Sequence, residues 1–409
     1  MNIVVWGINY SPEVIGIAPF NTELCEFMAA RGHIVDMVTT FAYYPAWRKL
    51  PTEQYSAYRT DNIEEVTVHR CWHYVSSKVT TVRRILHEFS FVFSSMLKLL
   101  ALKRPDIVVV VSPPLLLGAA AWFYGLLRNV PFIFHVQDLQ PDAAAGLGML
   151  KKGLLVRGLY KLEAFAYRKA ARVSGISRGM LDAFRAKGVP EQKLVYFPNG
   201  VHLPDMAFLP QAGLFRSVHG ISSNEFLVVY SGNVGVKQGL DLLIRAAALV
   251  THPRFRLVIC GEGNQRDALS KLATELNLRN VLMLPVQSEQ HYRELLRDAD
   301  LCVIPQLTRS ANFFFPSKLL TTLAFAKPVL TIADETSDLA LATREGQFGK
   351  AIPPGEPALV ARTIETLMNA PADLQRFSEA GRRFVEQFRF PEVLQRFEQE
   401  LTACVQERA

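Results

Sequence analysis

The stretch Val228-Val229-Tyr230-Ser231-Gly232-Asn233-Val234-Gly235-Val236-Lys237-Gln238-Gly239 decides how this chain is read. An apolar, β-branched run feeds a glycine-bearing turn, and a helix is expected over 240–250. Glycine lets a backbone approach a ligand closely, and Asn233 and Lys237 can donate to phosphate oxygens. No Gly-Lys-Ser/Thr follows, so this is not a Walker loop, and the Gly-x-Gly-x-x-Gly spacing of a dinucleotide fingerprint is absent too. A second switch of the same kind, Cys260-Gly261-Glu262-Gly263-Asn264, closes a strand at 256–260 and precedes Arg266. The third is Phe315-Pro316-Ser317-Lys318-Leu319-Leu320, a loop that opens a helix. Proline suits the first helical position, and the amides of Ser317, Lys318 and Leu319 then point out of the helix's positive end. Ser317 adds a hydroxyl and Lys318 a mobile cation, which together make a diphosphate site. Three strand-to-loop switches carrying Gly, Asn, Lys, Arg and Ser place a nucleotide at the carboxyl ends of a parallel sheet.

Outward from these loops the alternation of strand and helix covers the whole chain. In the first half strands are expected at 3–6, 34–39, 66–70, 107–111, 132–136, 172–176 and 194–197, separated by helix-length segments. The uncharged run 107–127 is long enough to span a bilayer, but Ser112-Pro113-Pro114 divides it into a buried strand and an apolar helix. The fold class is therefore α/β, with two Rossmann-like, doubly wound parallel-sheet domains that hold the ligand in the cleft between them. The first domain is expected over 1–200, a linker over 201–223 and the second domain over 224–390. A C-terminal helix at 391–409 is free to cross back to the first domain.

Composition narrows the partners. The 409 residues exceed what one core holds, and with 49% hydrophobic and 20% charged residues the chain has ample core. A formal net charge of +7 suits anionic partners such as a nucleotide sugar or a phospholipid surface. No nucleic-acid signature accompanies it. The five cysteines (Cys25, Cys71, Cys260, Cys302, Cys404) lack any Cys-x-x-Cys spacing, which points to a reduced, cytoplasmic compartment without disulfides or structural metal. The start, Met1 to Gly7, reads as a strand rather than a signal peptide.

Taken together these stretches resemble the retaining nucleotide-sugar glycosyltransferases of the two-Rossmann-domain type, family four (the GT-B fold). The opening Gly7-Ile8-Asn9-Tyr10-Ser11-Pro12-Glu13 with Gly16 is similar to that family's N-terminal glycine loop, and Phe197-Pro198-Asn199-Gly200-Val201 to its hinge. Within the family the likeness is greatest to the bacterial exopolysaccharide branch, the colanic acid biosynthesis fucosyltransferases. Tyr43-Tyr44-Pro45 and the Pro-Ser-Lys-Leu helix start carry that closer resemblance. It implies a nucleotide-sugar donor (GDP-fucose-like or a UDP-sugar), held by Gly16, Gly232, Asn233, Lys237, Glu262, Arg266, Pro316, Ser317, Lys318 and Thr321. The acceptor it implies is a saccharide or lipid-linked acceptor, met in the cytoplasm or at the inner face of the cell membrane. The chain also departs from the family. Two glutamates usual around the donor helix correspond to Phe313 and Thr321, the usual loop arginine to Asn233, and its lysine to Gln238.

On the acceptor side Asp138 follows the strand 132–136 at its carboxyl end, where it can orient an acceptor hydroxyl or take its proton; His135 is the weaker candidate. The Asp298-Ala299-Asp300 pair precedes the strand at 301–304, at its amino end, so it reads as a solvated turn, and no metal and no other cofactor are expected. The segment 83–102 mixes Arg83, Arg84 and Lys98 with Phe89, Phe91, Phe93, Met96 and Leu99, and fits either a core helix or an anionic membrane surface. Two other functions share such a fold: a nucleotide-sugar epimerase and a non-catalytic nucleotide-binding protein.

Overall fold

The computed structural model describes residues 1–14, 16–44, 46–78, 80–142, 153–306 and 317–407. The chain divides into two units, 1–200 with 390–409, and 201–389.

The first unit is built on eight strands: β1 Asn2–Trp6, β2 Ile34–Thr40, β3 Tyr58–Ile63, β4 Val66–Cys71, β5 Ile107–Ser112, β6 Phe132–Val136, β7 Arg172–Gly175 and β8 Leu194–Tyr196. They lie in the order β3-β4-β2-β1-β5-β6-β7-β8, all parallel except β3 against β4. Helices α1 Ala18–Ala30, α2 Thr81–Ala101, α3 Leu116–Arg128, α4 Leu154–Lys169 and α5 Arg178–Ala186 connect them. Every residue of β5 is buried, as expected of a central strand covered on both faces. Successive side chains alternate between those faces. Ile3 and Val5 pack with Leu24, Cys25 and Met28 of α1, whereas Trp6 donates to Ser95 of α2 at 2.9 Å. A Cβ at Gly118 of α3 would stand 3.0 Å from Phe134 and 2.6 Å from Ala166, so α3 and α4 lie closely against the sheet and each other.

The second unit holds β9 Phe226–Ser231, β10 Phe255–Cys260, β11 Val281–Leu284, β12 Leu301–Pro305, β13 Val329–Ile332 and β14 Gly349–Ile352. Its helices are α6 Leu214–Val218, α7 Asp241–Ala247, α8 Arg266–Glu275, α9 Glu289–Asp298, α10 Ser317–Ala324, α11 Asp338–Gly346, α12 Pro357–Met368 and α13 Pro371–Val385. The all-parallel order β11-β10-β9-β12-β13-β14 reverses direction between β9 and β12, and ligands of doubly wound sheets bind at that switch point. The last helix, α14 Phe390–Gln406, belongs to the first unit. Its Val393, Leu394, Phe397 and Leu401 are buried with Ile3, Leu24 and Ile133, and Phe397 stacks on Phe197 at 3.8 Å.

Three sequence expectations need correction. The stretch 201–223 is not a free linker: Phe215 and Ile221 are buried with Leu227 and Leu295 in the second unit's core. Asp298 and Asp300 are not a solvated turn. The Asp298 carboxylate accepts from the amides of Gly213 at 2.6 Å and Arg216 at 3.1 Å, and Asp300 pairs with the Arg216 guanidinium at 2.7 Å. The pair therefore fastens α6 to the amino end of β12. The charge-free run 107–127, by contrast, is divided into a strand and a helix as expected, β5 and α3, and among the described residues no helix is long and apolar enough to cross a membrane. Finally, β3 was missed because Tyr58-Arg59-Thr60-Asp61-Asn62-Ile63 is polar. It is held by Arg59 to Glu53 at 2.7 Å and Arg70 to Asp61 at 3.0 Å, and its turn puts Glu64 and Glu65 at φ of 47° and 63°.

Replacing Asp298 with Asn tests the reassignment. It leaves the size but removes the charge that the amides of Gly213 and Arg216 converge on, so the second unit should lose about 1–3 kcal/mol. Urea unfolding should show that loss while turnover per folded molecule stays near wild type. Collapse of turnover at unchanged stability would instead give the pair a role in the chemistry.

Candidate functional site

At the switch point of the second unit the loops after β9 and β10 interlock through their backbones. The amide of Gly232 donates to Cys260 O at 2.9 Å, Val234 N to Glu262 O at 2.8 Å and Gln265 N to Val234 O at 3.1 Å. These bonds leave no room for side chains. A Cβ at Gly261 would lie 1.8 Å from Gly232 O, one at Gly263 2.2 Å from Val234 O, and the φ angles of +151° and +156° already exclude L-residues. Glycine is required at both positions by the close approach of backbone to backbone.

Lys318, on the first turn of α10, closes this site. Its Nζ stands 4.0 Å from the centroid of the Tyr230 ring, and a Cβ on Gly232 would lie 3.3 Å from it. The Tyr230 hydroxyl donates to Asn233 O at 2.6 Å, which fixes the ring under the lysine. Among the described residues no carboxylate pairs with this ammonium, and burial pulls its pKa down to about 7. A desolvated cation with no counter-charge among the described residues, at a helix start and next to a glycine turn, has the chemistry that suits an anion.

The other expected donor residues divide. Gly232 and Asn233 adjoin Lys318, with Asn233 exposed. Lys237 is exposed on the short turn Val236–Gln238 that leads toward α7. Thr321 lies half-buried one turn beyond Ser317 on α10. Arg266, by contrast, is committed to the scaffold: its guanidinium donates to Gly261 O at 2.6 Å and Leu284 O at 2.8 Å, and it pairs with Glu262 at 3.3 Å. It braces the glycine loop from behind, with Glu262 as its counter-ion. Pro316 and Phe313 lie outside the described residues, as does the side chain of Ser317.

Gly16 and Asp138 belong to the first unit. Gly16, at φ +73°, has its Cβ direction 3.6 Å from the Tyr44 ring. Asp138 is half-buried on the bend after β6, and its carbonyl accepts from Gln140 N at 3.0 Å. The bend is anchored on both sides, by Gln140 Oε1 accepting from Leu115 N at 2.7 Å and by Asp142 pairing with Lys187 at 2.5 Å. His135 is built into the scaffold of the first unit. It is buried between Ser174 and Gln137, each at 2.9 Å, and burial pushes its pKa down to about 3. Gln137 passes the contact on to Asn199 at 3.0 Å, so this row holds the end of β6 to the segment after β8.

Sequence reasoning quoted Glu13 without giving it a task. Its buried carboxylate accepts from the amides of Tyr43 and Tyr44 at 2.8 Å each and from Asn9 Nδ2 at 2.7 Å. It thereby ties the loop after β1 to the loop after β2. A carboxylate within a glycine- and proline-bearing loop was the available signal.

This geometry has counterparts among known proteins. A glycosyl transferase 4-like domain matches residues 16–200, and the glycosyl transferases group 1 domain matches residues 213–384. WcaI of Escherichia coli K12, named as a colanic acid biosynthesis glycosyl transferase, is 32% identical over 376 residues, covering 90% of each chain. The chain belongs to the group 1 glycosyltransferases. WbjE of Pseudomonas aeruginosa, named as a glycosyltransferase, is 25% identical over 283 residues, 68% of this chain and 70% of its own. In fold the chain is similar to sucrose-phosphate synthase from Thermosynechococcus elongatus, with a TM-score of 0.77 at 18% identity and 98% coverage of both. The Anabaena protein HepE, solved with UDP-glucose, gives 0.69 at 15% identity, covering 98% of this chain and 100% of its own. Both sheets and these likenesses make the fold GT-B.

Lys318 gives this glycosyltransferase a measurable signature. Bound phosphate favours the charged lysine, whereas the empty site holds it near pH 7. Nucleoside diphosphate binding should take up close to one proton above that pH, and affinity should fall as pH rises from 7 toward the bound-state pKa. Calorimetry at pH 8 in buffers of different ionisation enthalpy reads the uptake. Lys318→Ala should abolish it and cost about 1.5–3 kcal/mol of binding. Unchanged affinity would remove Lys318 from the site.

Proposed function

We propose that this glycosyltransferase moves a sugar from a nucleotide-sugar donor, GDP-fucose-like or a UDP-sugar, with retention of anomeric configuration. The acceptor is a saccharide carried on a lipid, and the setting is exopolysaccharide or other cell-surface glycan assembly at the inner face of the cell membrane. The observation that carries the reading is Lys318, desolvated over Tyr230 beside the glycine interlock, where a donor diphosphate would sit. The name of WcaI supports the glycan setting, and the nucleotide sugar bound by HepE supports the donor class.

In this reading the bond between the anomeric carbon and the phosphate oxygen breaks as the acceptor oxygen bonds the same face of the sugar. The acceptor proton passes to the departing phosphate oxygen, so no protein nucleophile is needed. Lys318, the amides at the start of α10 and Asn233 neutralise the leaving diphosphate. Metal is not called on for this, because Asp298 and Asp300 are engaged by Arg216 and backbone amides at the amino end of β12. Asp138 orients the acceptor hydroxyl. The membrane contact is assigned to the outer face of α2, where Val82, Ile85, Leu86, Phe89, Phe93 and Leu97 are exposed at helical spacing beside Arg83, Arg84 and Lys98.

Two measurements test the reading. Incubation with a panel of nucleotide sugars, with and without EDTA, should release nucleoside diphosphate from one donor class in both conditions. Proton NMR of the transferred sugar should report the donor's anomeric configuration. Interconversion of the sugar while still attached to nucleotide would mean an epimerase, and binding without turnover a non-catalytic protein. Asp138→Asn should keep donor affinity within about twofold. Transfer should drop by about 10²-fold if the carboxylate assists the acceptor proton. A loss of stability alone, with normal turnover, would make Asp138 a purely structural turn residue.

A further inference from the structure

The first unit carries a second concave site, at the opposite end of its sheet from the loops that follow the strands. A groove of ≈ 530 Å³ opens at the amino ends of β6 and β7, lined among others by Trp122, Leu126, Lys169, Arg172, Lys193 and Glu407. Three cations and one carboxylate line it. Arg172 pairs with Glu407, which is itself largely exposed. The Lys193 ammonium donates to the carbonyls of Arg168 and Ala170, both at 2.8 Å, and Lys169 lies 5.6 Å over the Trp122 ring. Arg172 and Lys169 add to burial in lowering the proton affinity of Lys193, as expected where like charges are crowded together. Beyond the groove Lys103 and Arg104 are exposed, and Arg104 donates to Asn129 O at 2.8 Å on the groove's border.

The opposite flank is apolar. Phe123, Leu126 and Leu127 of α3 are exposed by 47%, 66% and 54%, in the same helix layer as the exposed stripe of α2. An apolar helix face that ends in a concave basic rim matches an amphiphile with a phosphate head. A free anion would have no use for the apolar flank, and nucleic acid would want aromatic rings exposed along a track.

We propose that this groove binds the phosphate of an anionic phospholipid headgroup, with the acyl chains lying along the outer faces of α3 and α2. The inference rests on the membrane reading given under the proposed function. It adds a defined lipid site, at the opposite end of the first unit's sheet from the loops that follow its strands, and fixes which surface of that unit faces the bilayer.

The test uses the full chain and three probes: short-chain, monomeric dihexanoyl-phosphatidylglycerol, its phosphatidylcholine counterpart, and inorganic phosphate. Wild type should bind the phosphatidylglycerol at one site and prefer it clearly to both others. Lys169→Glu reverses an exposed charge that lies over Trp122, and should weaken that binding about tenfold or more. Its nucleoside diphosphate affinity should be unchanged, which also shows that it folds. Equal binding of the two short-chain lipids, equal competition by phosphate, or wild-type affinity in Lys169→Glu would overturn the site. Sedimentation with phosphatidylcholine vesicles, with and without phosphatidylglycerol, reads the membrane association separately. Loss of vesicle binding in Phe89→Ser/Phe93→Ser alone, with Lys169→Glu unaffected, would keep the membrane reading and remove the headgroup site. Short-chain lipid binding without vesicle binding would do the reverse.

Discussion

In the second unit, the carbonyl oxygen of Gly232 fills the space that a side chain at position 261 would need. Around that contact the pairing of β9 with β10 continues past the strand ends, through the amides of Gly232 and Val234. Two loops that would otherwise be mobile surface connections become one rigid ledge. Tyr230, at the end of β9, is held by its own loop and supports Lys318 from below. The site therefore exists before any ligand arrives. Pre-formed dipoles and charge are worth most in transferring a group away from a phosphate, because nothing need reorganise as charge develops.

The same constraint explains the division of labour among the cations. Arg266 looked like a ligand residue, yet the glycine loop could not hold its shape without a donor for the carbonyls of Gly261 and Leu284. Once Arg266 is spent on the scaffold, the buried charge at the ledge is that of Lys318, and Lys237 is exposed. In the first unit a carboxylate does the corresponding work, as Glu13 gathers the amides of Tyr43 and Tyr44 and the side chain of Asn9.

Much of this was legible in the chain. The β-branched runs of β5, β9 and β12 and the glycine turns announce parallel strands and a nucleotide-type switch point, because those signals are local. Position along a sheet is local too, which is why the amino-end placement of Asp298 and Asp300 could be foreseen. What they bond was not, since their partner Arg216 is some eighty positions away in a stretch whose prolines and glycines suggested a linker. The edge strand β3 escaped for a related reason: its stability lies in ion pairs with Glu53 and Arg70, not in its own composition. The opposite roles of Arg266 and Lys318 were equally invisible, for both are basic residues at a helix start. Only packing distinguishes a guanidinium turned onto carbonyls from an ammonium left over a ring.

A parallel sheet gathers its ligand-binding loops at one end and leaves the other end to helix termini. Helix C-termini expose carbonyls, which draw cations to satisfy them, as Lys193 does for Arg168 and Ala170. The chemical end of the first sheet thus carries Glu13 and Asp138, and its other end collects Lys169, Arg172 and Lys193. That separation of charge follows from the topology before any function is assigned. In the proposed reading, one domain meets an anionic surface through its basic end and outer helices while the loops at its carboxyl ends stay free for an acceptor. Attraction to the surface and handling of the acceptor can then be altered independently, by residues that do not touch one another.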